Sequence, residues 1–241
     1  MKTILHTANS RGHANHGWLD SYHTFSFANY YNPERVHFGM LRVLNDDQVA
    51  GGEGFSQHSH DNMEIISIPL EGRVEHKDSM GNDTQIAVGE IQVMSAGTGI
   101  FHSEFNPDPV NLAKFLQIWV FPAQRNTKPR YSQISLEGLA KPDSLYQIVS
   151  PNADDDGAWI GQQAWFHMGN LSKGWEGNYA FKGSNTGVYA FVLEGKVTIN
   201  GTTLSRRDGL GIYETNQLDI RSDEASNILL MEVPMDANTN K

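Results

Sequence analysis

Two stretches of this chain echo each other, and the echo limits what it can fold into. Ala190-Phe191-Val192-Leu193-Glu194-Gly195-Lys196-Val197-Thr198-Ile199 matches Ser67-Ile68-Pro69-Leu70-Glu71-Gly72-Arg73-Val74-Glu75-His76 in pattern. Further on, Asp208-Gly209-Leu210-Gly211-Ile212-Tyr213 matches Gly89-Glu90-Ile91-Gln92-Val93-Met94. An internal repeat on this scale means two copies of one folding unit. Each copy reads as an apolar run, a Glu-Gly turn and an alternating run, which is strand, tight turn, strand. Met80-Gly81-Asn82-Asp83 adds a hairpin signal, and 23 glycines suit a chain with so many turns. Convincing helical periods are few. The expected class is all-β, two jelly-roll barrels in tandem. Residues 123–144, with Pro129 and Pro142 and scattered charges, read as a connector between units at 1–122 and 145–241.

The first copy carries chemistry that the second lacks. His58 and His60 are separated by one residue, as are His102 and Glu104, and each pair stands beside a glycine-rich turn. Side chains two apart on a strand project to the same face. Two such strands side by side aim three imidazoles and one carboxylate at a common point, a mixed nitrogen and oxygen donor set suited to a divalent first-row metal. Counting back from Gly195 as His58 and His60 sit before Gly72 lands on Phe181 and Gly183, so one metal per chain is expected, in the first barrel. Four more histidines, His6, His13, His16 and His23, crowd the N-terminus without regular spacing. They read as hydrogen-bonding groups that fix this segment over the barrel.

Composition excludes several function classes. A formal net charge of −10 opposes a nucleic-acid footprint. The absence of cysteine removes disulfides, thiolate metal sites and cysteine nucleophiles. Met1-Lys2-Thr3-Ile4-Leu5-His6 opens no apolar run of signal-peptide length, and no stretch is long enough to span a membrane, so the cytoplasm is the expected location. Strands are expected near Tyr22–Phe27 and Val36–Leu44, with a turn at Asn45-Asp46-Asp47.

Gly52, His58, His60, Glu64 and Gly72 resemble the first cupin motif, and Gly89, Gly97 and His102 the second. Ser95-Ala96-Gly97-Thr98-Gly99-Ile100-Phe101-His102-Ser103-Glu104, with Asp78-Ser79-Met80-Gly81-Asn82, resembles the pirin family. Arg11-Gly12-His13-Ala14-Asn15-His16-Gly17-Trp18-Leu19-Asp20-Ser21 is similar to the bacterial, quercetin dioxygenase-like members. The resemblance implies a bicupin with iron held by His58, His60, His102 and Glu104, although nickel, copper, cobalt or zinc could take the same donors. In ordinary cupins the carboxylate ligand would be Glu64; the pirin pattern shifts it to Glu104 and leaves Glu64 a supporting role. The general cupin pattern often has proline where Ser95 stands. The implied activity is oxidative ring opening of a flavonol by dioxygen, with loss of carbon monoxide and Glu104 as the base. Phe25, Phe27, Met40 and Phe101 are candidates for the apolar lining. The alternative that the resemblance carries is a non-enzymatic, metal-dependent binding module acting through a protein partner.

Overall fold

A computed structural model describes residues 1–235. Positions 236–241, the end of the expected second unit, lie outside the described residues. Alternating apolar and polar side chains form strands such as Gln217–Ser222, and near-continuous apolar runs form buried ones such as Thr186–Glu194. In the first half these are β1 (Lys2–His6), β2 (Gly12–Asn15), β3 (Leu19–His23), β4 (Leu41–Val49), β5 (Gly54–His60), β6 (Glu64–Glu71), β7 (Arg73–Asp78), β8 (Asp83–Ala87), β9 (Glu90–Ser95), β10 (Ile100–Phe105), β11 (Ala113–Val120) and β12 (Arg130–Ser135). A seven-stranded sheet in the order β12-β9-β6-β11-β4-β3-β2 accompanies a four-stranded sheet in the order β5-β10-β7-β8. The second half repeats the plan. Its four-stranded sheet runs Glu176–Ala180, Gln217–Ser222, Lys196–Ile199, Thr202–Ser205, the same connectivity as β5-β10-β7-β8. The two halves are the tandem jelly-roll barrels expected from the repeat. Gly72 and Gly195, the matching glycines of the repeat, adopt φ of +71° and +83°. A Cβ there would lie 3.0 Å from the Leu112 carbonyl oxygen and 2.3 Å from that of Ala225, so the tight turn strains any side chain at Gly72 and has no room for one at Gly195. Among the described residues no helix is long and apolar enough to cross a membrane.

The large sheets pack against each other through alternate residues. Ile66, Ile68, Ile118 and Val120 from the first half meet Tyr189, Phe191, Leu229 and Met231 from the second in one buried cluster. Residues one step out of phase on the same strands, Ser67, Gln117 and Trp119, therefore point into the first barrel. Two strands depart from the expected units. β1 pairs with Gly209–Tyr213 of the second half, and β12, inside the expected connector, pairs with β9 of the first. The start of the first unit is thus sewn into the second half's sheet, and part of the connector into the first half's.

Three local expectations need correction. Val36–Leu44 is strand only from Leu41, where β4 begins, because Phe38 to Met40 make a turn before it. Tyr22–Phe27 is not one strand: β3 ends at His23 and the chain then bends. Asn45-Asp46-Asp47 is no turn but the middle of β4, with all three residues buried. The reason is tertiary. Asp46 Oδ2 accepts from Arg11 at 3.2 Å and lies 2.9 Å from Arg207 Nε, and Asp47 accepts from the Ser21 hydroxyl. Partners distant in sequence let carboxylates occupy a strand interior that their local preference disfavours.

The Arg11–Asp46–Arg207 group joins the N-terminal segment, the first barrel and the second. Removing its carboxylate leaves two nearly buried guanidinium groups facing each other. Asp46→Ala is expected to cost about 3–5 kcal/mol in denaturant unfolding, as breaking a buried ion pair does. A loss below about 1 kcal/mol, the scale of a surface pair, would show that the group does not tie the halves together.

Candidate metal centre

β5 and β10 run antiparallel in the small sheet, with His102 opposite His58 and Ile100 opposite His60. A bulge between His102 and Glu104 resets the register, so Glu104 lies opposite Phe55. The rings converge: His58 and His102 have centroids 4.4 Å apart, and His60 lies 4.9 Å from each. His58, His60 and His102 offer nitrogens that all lie within 4.8 Å of one another. Glu104 belongs to a second such group, with His102 and His76. His102 is common to both.

The surroundings prepare these groups as donors. His58 Nδ1–H donates to the Ser56 carbonyl oxygen at 2.8 Å, which leaves Nε2 free. Burial, reinforced by neighbouring histidines, lowers the pKa of His60 to about 4 and that of His102 to about 3. Both imidazoles are therefore neutral at physiological pH, the form in which histidine ligates a metal. His102 Nε2 is buried and has no hydrogen-bond partner, a costly state for a polar atom unless something else takes its lone pair. Gln117 Nε2 donates to Glu104 Oε2 at 2.8 Å, and Ser67 Oγ donates to Oε1 at 3.3 Å. These two inward residues of β11 and β6 orient the carboxylate. The donor set of three imidazoles and a carboxylate fits a divalent first-row metal.

His58, His60 and Glu104 line a cavity of about 820 Å³, within the range that takes drug-sized ligands. Its walls include Trp18, Phe27, Tyr30, Phe55 and Trp119. Of the four expected lining residues only Phe27 is in place. Phe25 and Met40 are packed in the core between the halves, and Phe101 points outward at 54% exposure. The two-residue period decides this: Phe101 sits between the inward Ile100 and His102. Trp119 escaped notice because an unbroken apolar run hides which face each residue takes. Asp47 also lines the cavity, and burial raises its pKa to about 7.

The remaining candidates have other partners. Glu64 accepts from Ser95 Oγ at 2.7 Å and from the Gly161 N–H at 2.9 Å. It is in neither donor group, and it fastens a loop of the second half to the first barrel. Ser95 thus has a bonding role besides shaping its turn, and its hydroxyl also accepts from Arg130 at 2.9 Å. None of the N-terminal histidines joins a donor group among the described residues. His6 meets the Tyr189 hydroxyl at 2.8 Å, His13 stacks on Tyr22, and His16 and His23 line the cavity.

Comparison with known proteins agrees with this architecture. Residues 5–120 match the family model described as Pirin, and residues 147–233 match that of the quercetinase C-terminal cupin domain. Quercetin 2,3-dioxygenase of Escherichia coli K12 is 44% identical over 95% of this chain and 98% of its own length. A pirin-like protein of Caulobacter vibrioides is 35% identical over 92% of this chain and 95% of its own. The crystal structure of the bacterial pirin YhhW from Escherichia coli, in complex with nickel(II), superposes with a TM-score of 0.92 at 42% identity, covering 98% of this chain and all of that one (100%). With both halves matched and nearly its whole length shared with these relatives, the chain belongs to the pirin family.

Proposed function

We propose that this protein is a metal-dependent dioxygenase that opens the ring of a flavonol such as quercetin with release of carbon monoxide, its metal held by His58, His60, His102 and Glu104. The observation that carries the reading is the convergence of three imidazoles beside Glu104 in a cavity of about 820 Å³ walled by aromatic rings. The dioxygenase name of the Escherichia coli relative and the nickel(II) in the YhhW structure support an enzyme with a single divalent metal. Iron follows from the family resemblance, and nickel is compatible with the same donors.

A divalent metal on these donors would lower the pKa of a hydroxyl set beside it. The residues of this chain do the rest. Trp18, Phe27, Tyr30 and Trp119 offer flat apolar walls to a planar polyphenol and displace water from it. Glu104 is the base that accepts the proton of the flavonol 3-hydroxyl. Gln117 and Ser67 hold its carboxylate in place while leaving it lone pairs for that proton.

Metal content tests the ligand set. Purified protein is expected to hold close to one transition metal per chain by elemental analysis, and combined replacement of His58 and His102 by Ala is expected to abolish it. A double variant as loaded as the parent would show that the ligands lie elsewhere.

Turnover tests the base. Glu104→Gln keeps the shape and an oxygen donor but gives up the charge. It is expected to retain some metal and to lose about 10²–10⁴-fold in carbon monoxide release from quercetin, the typical contribution of general-base catalysis. Glu64→Gln is expected to leave turnover near the parent's, because Glu64 faces Ser95 and Gly161. An inactive Glu64 variant beside an active Glu104 variant would reverse the assignment. Iron-loaded protein that releases no carbon monoxide from any flavonol would leave the non-enzymatic binding module as the reading.

A further inference from the structure

β10 lies between β5 and β7, with His102 paired to His58 on one side and to Asp78 on the other. Glu104 is paired to His76. By the two-residue period, His76, Asp78, His102 and Glu104 stand on one face of the small sheet. The side chains of His76 and Asp78 are fully buried, and the proposed chemistry uses neither. They are also connected. His76 Nε2 is 3.1 Å from Asp78 Oδ2, and His76 Nδ1 is 3.4 Å from His102 Nδ1.

The direction of this chain follows from its ends. Burial by itself raises the Asp78 pKa, but hydrogen bonds from Asn82, His76 and the Met80 backbone outweigh it and hold the carboxyl below the usual range. Asn82 Nδ2 donates to Oδ2 at 2.7 Å, and the N–H groups of Met80 and Asn82 donate to Oδ1 at 2.9 and 3.1 Å. Asp78 is thus a carboxylate and only accepts, so His76 presents Nε2–H to it. With its Nε2–H given to Asp78, an uncharged His76 would carry its lone pair on Nδ1, placed to accept the Nδ1–H of His102. That leaves the lone pair of His102 on Nε2, the atom that has no partner in the fold. The Tyr131 ring, its centroid 4.9 Å from that of His76, covers the relay from β12.

We infer that Asp78 and His76 are positioning residues that fix His102 as its Nδ1–H tautomer and aim its Nε2 lone pair at the metal site. The inference rests on His102 being a ligand, as proposed above. Partners of this kind keep a ligating imidazole in one tautomer and raise its basicity, and their loss costs about 10–100-fold in metal affinity. The hairpin Asp78-Ser79-Met80-Gly81-Asn82 then has a purpose: it holds the carboxylate that starts the relay.

Two measurements test this. In the metal-free protein, long-range ¹H–¹⁵N correlation of the imidazoles should report His102 as the Nδ1–H tautomer; an Nε2–H tautomer overturns the inference whatever the metal result. Cobalt(II) titrations against a competing chelator then compare the parent with His76→Phe, His76→Gln and Asp78→Asn. The Phe variant should bind about 10–100-fold more weakly, with a shifted ligand-field spectrum. The Gln variant, which can still accept from His102 and donate to Asp78, should recover most of the affinity. Asp78→Asn, the mildest change of shape, should weaken binding in the same direction and tests the relay even if the Phe variant does not fold. Parent-like affinity and spectrum in the His76→Phe and Asp78→Asn proteins would reduce the pair to packing. Complete loss of cobalt from His76→Phe, with His58→Ala still binding, would place the metal among His76, His102 and Glu104 and overturn the relay. A parent that takes up no cobalt would overturn the ligand reading instead, while the tautomer measurement still judges the hydrogen-bond chain by itself.

Discussion

The alternation of β6 and β11 is the constraint on which the rest of the molecule depends. One face of these strands, with Ile66, Ile68, Ile118 and Val120, is buried against the second half. The other face holds Ser67 and Gln117 under Glu104, and Trp119 against the edge of His60 at 4.9 Å. A slip of one residue in register would send the isoleucines into the cavity and the amide into the interface between halves. Stability and site geometry are therefore set by the same hydrogen-bond ladder. The second half serves the site in that sense: it supplies the apolar surface that keeps the first barrel's sheet in register.

The second barrel shows what the first would be without its chemistry. Its strand Glu176–Ala180 takes the place of β5, and Gln217–Ser222 that of β10, and neither carries a histidine. Val188, Val197, Leu218 and Ile220 fill the interior as one apolar cluster. The buried Glu232 carboxylate accepts from the Tyr179 hydroxyl at 2.7 Å, the Thr186 hydroxyl at 2.6 Å and two backbone N–H groups, so its oxygens already have partners within the fold. One topology supports a filled core in one copy and an open, polar-floored cavity in the other.

Much of this was legible in the sequence because strand chemistry has a short period. The repeat announced two related units, the glycines marked their turns, and His-x-His and His-x-Glu could be read as same-face pairs without knowing the fold. His76-x-Asp78 has the same spacing and was visible only as strand alternation, since nothing local distinguishes a buried relay from an exposed polar edge. Asn45-Asp46-Asp47 misled for the opposite reason. Its turn preference is real, but it is overridden by Arg11, Arg207 and Ser21, which lie 35, 161 and 26 residues away along the chain. Reading a cavity wall requires knowing which face of a continuous apolar run turns inward, and composition alone does not carry that.

The path of β1 has a consequence for how the molecule is made. Lys2–His6 is made before the other described strands, yet it pairs with Gly209–Tyr213, more than 200 residues further along the chain. The strands of the first barrel, with their largely nearby partners, can assemble while the second is still being synthesised, as domains generally do. The opening strand must wait, because its loop closes only when more than 200 residues have been added. Its contacts, together with the His6–Tyr189 hydrogen bond, are thus among the last to form. β1 acts as a clasp that shuts over a bicupin already largely built.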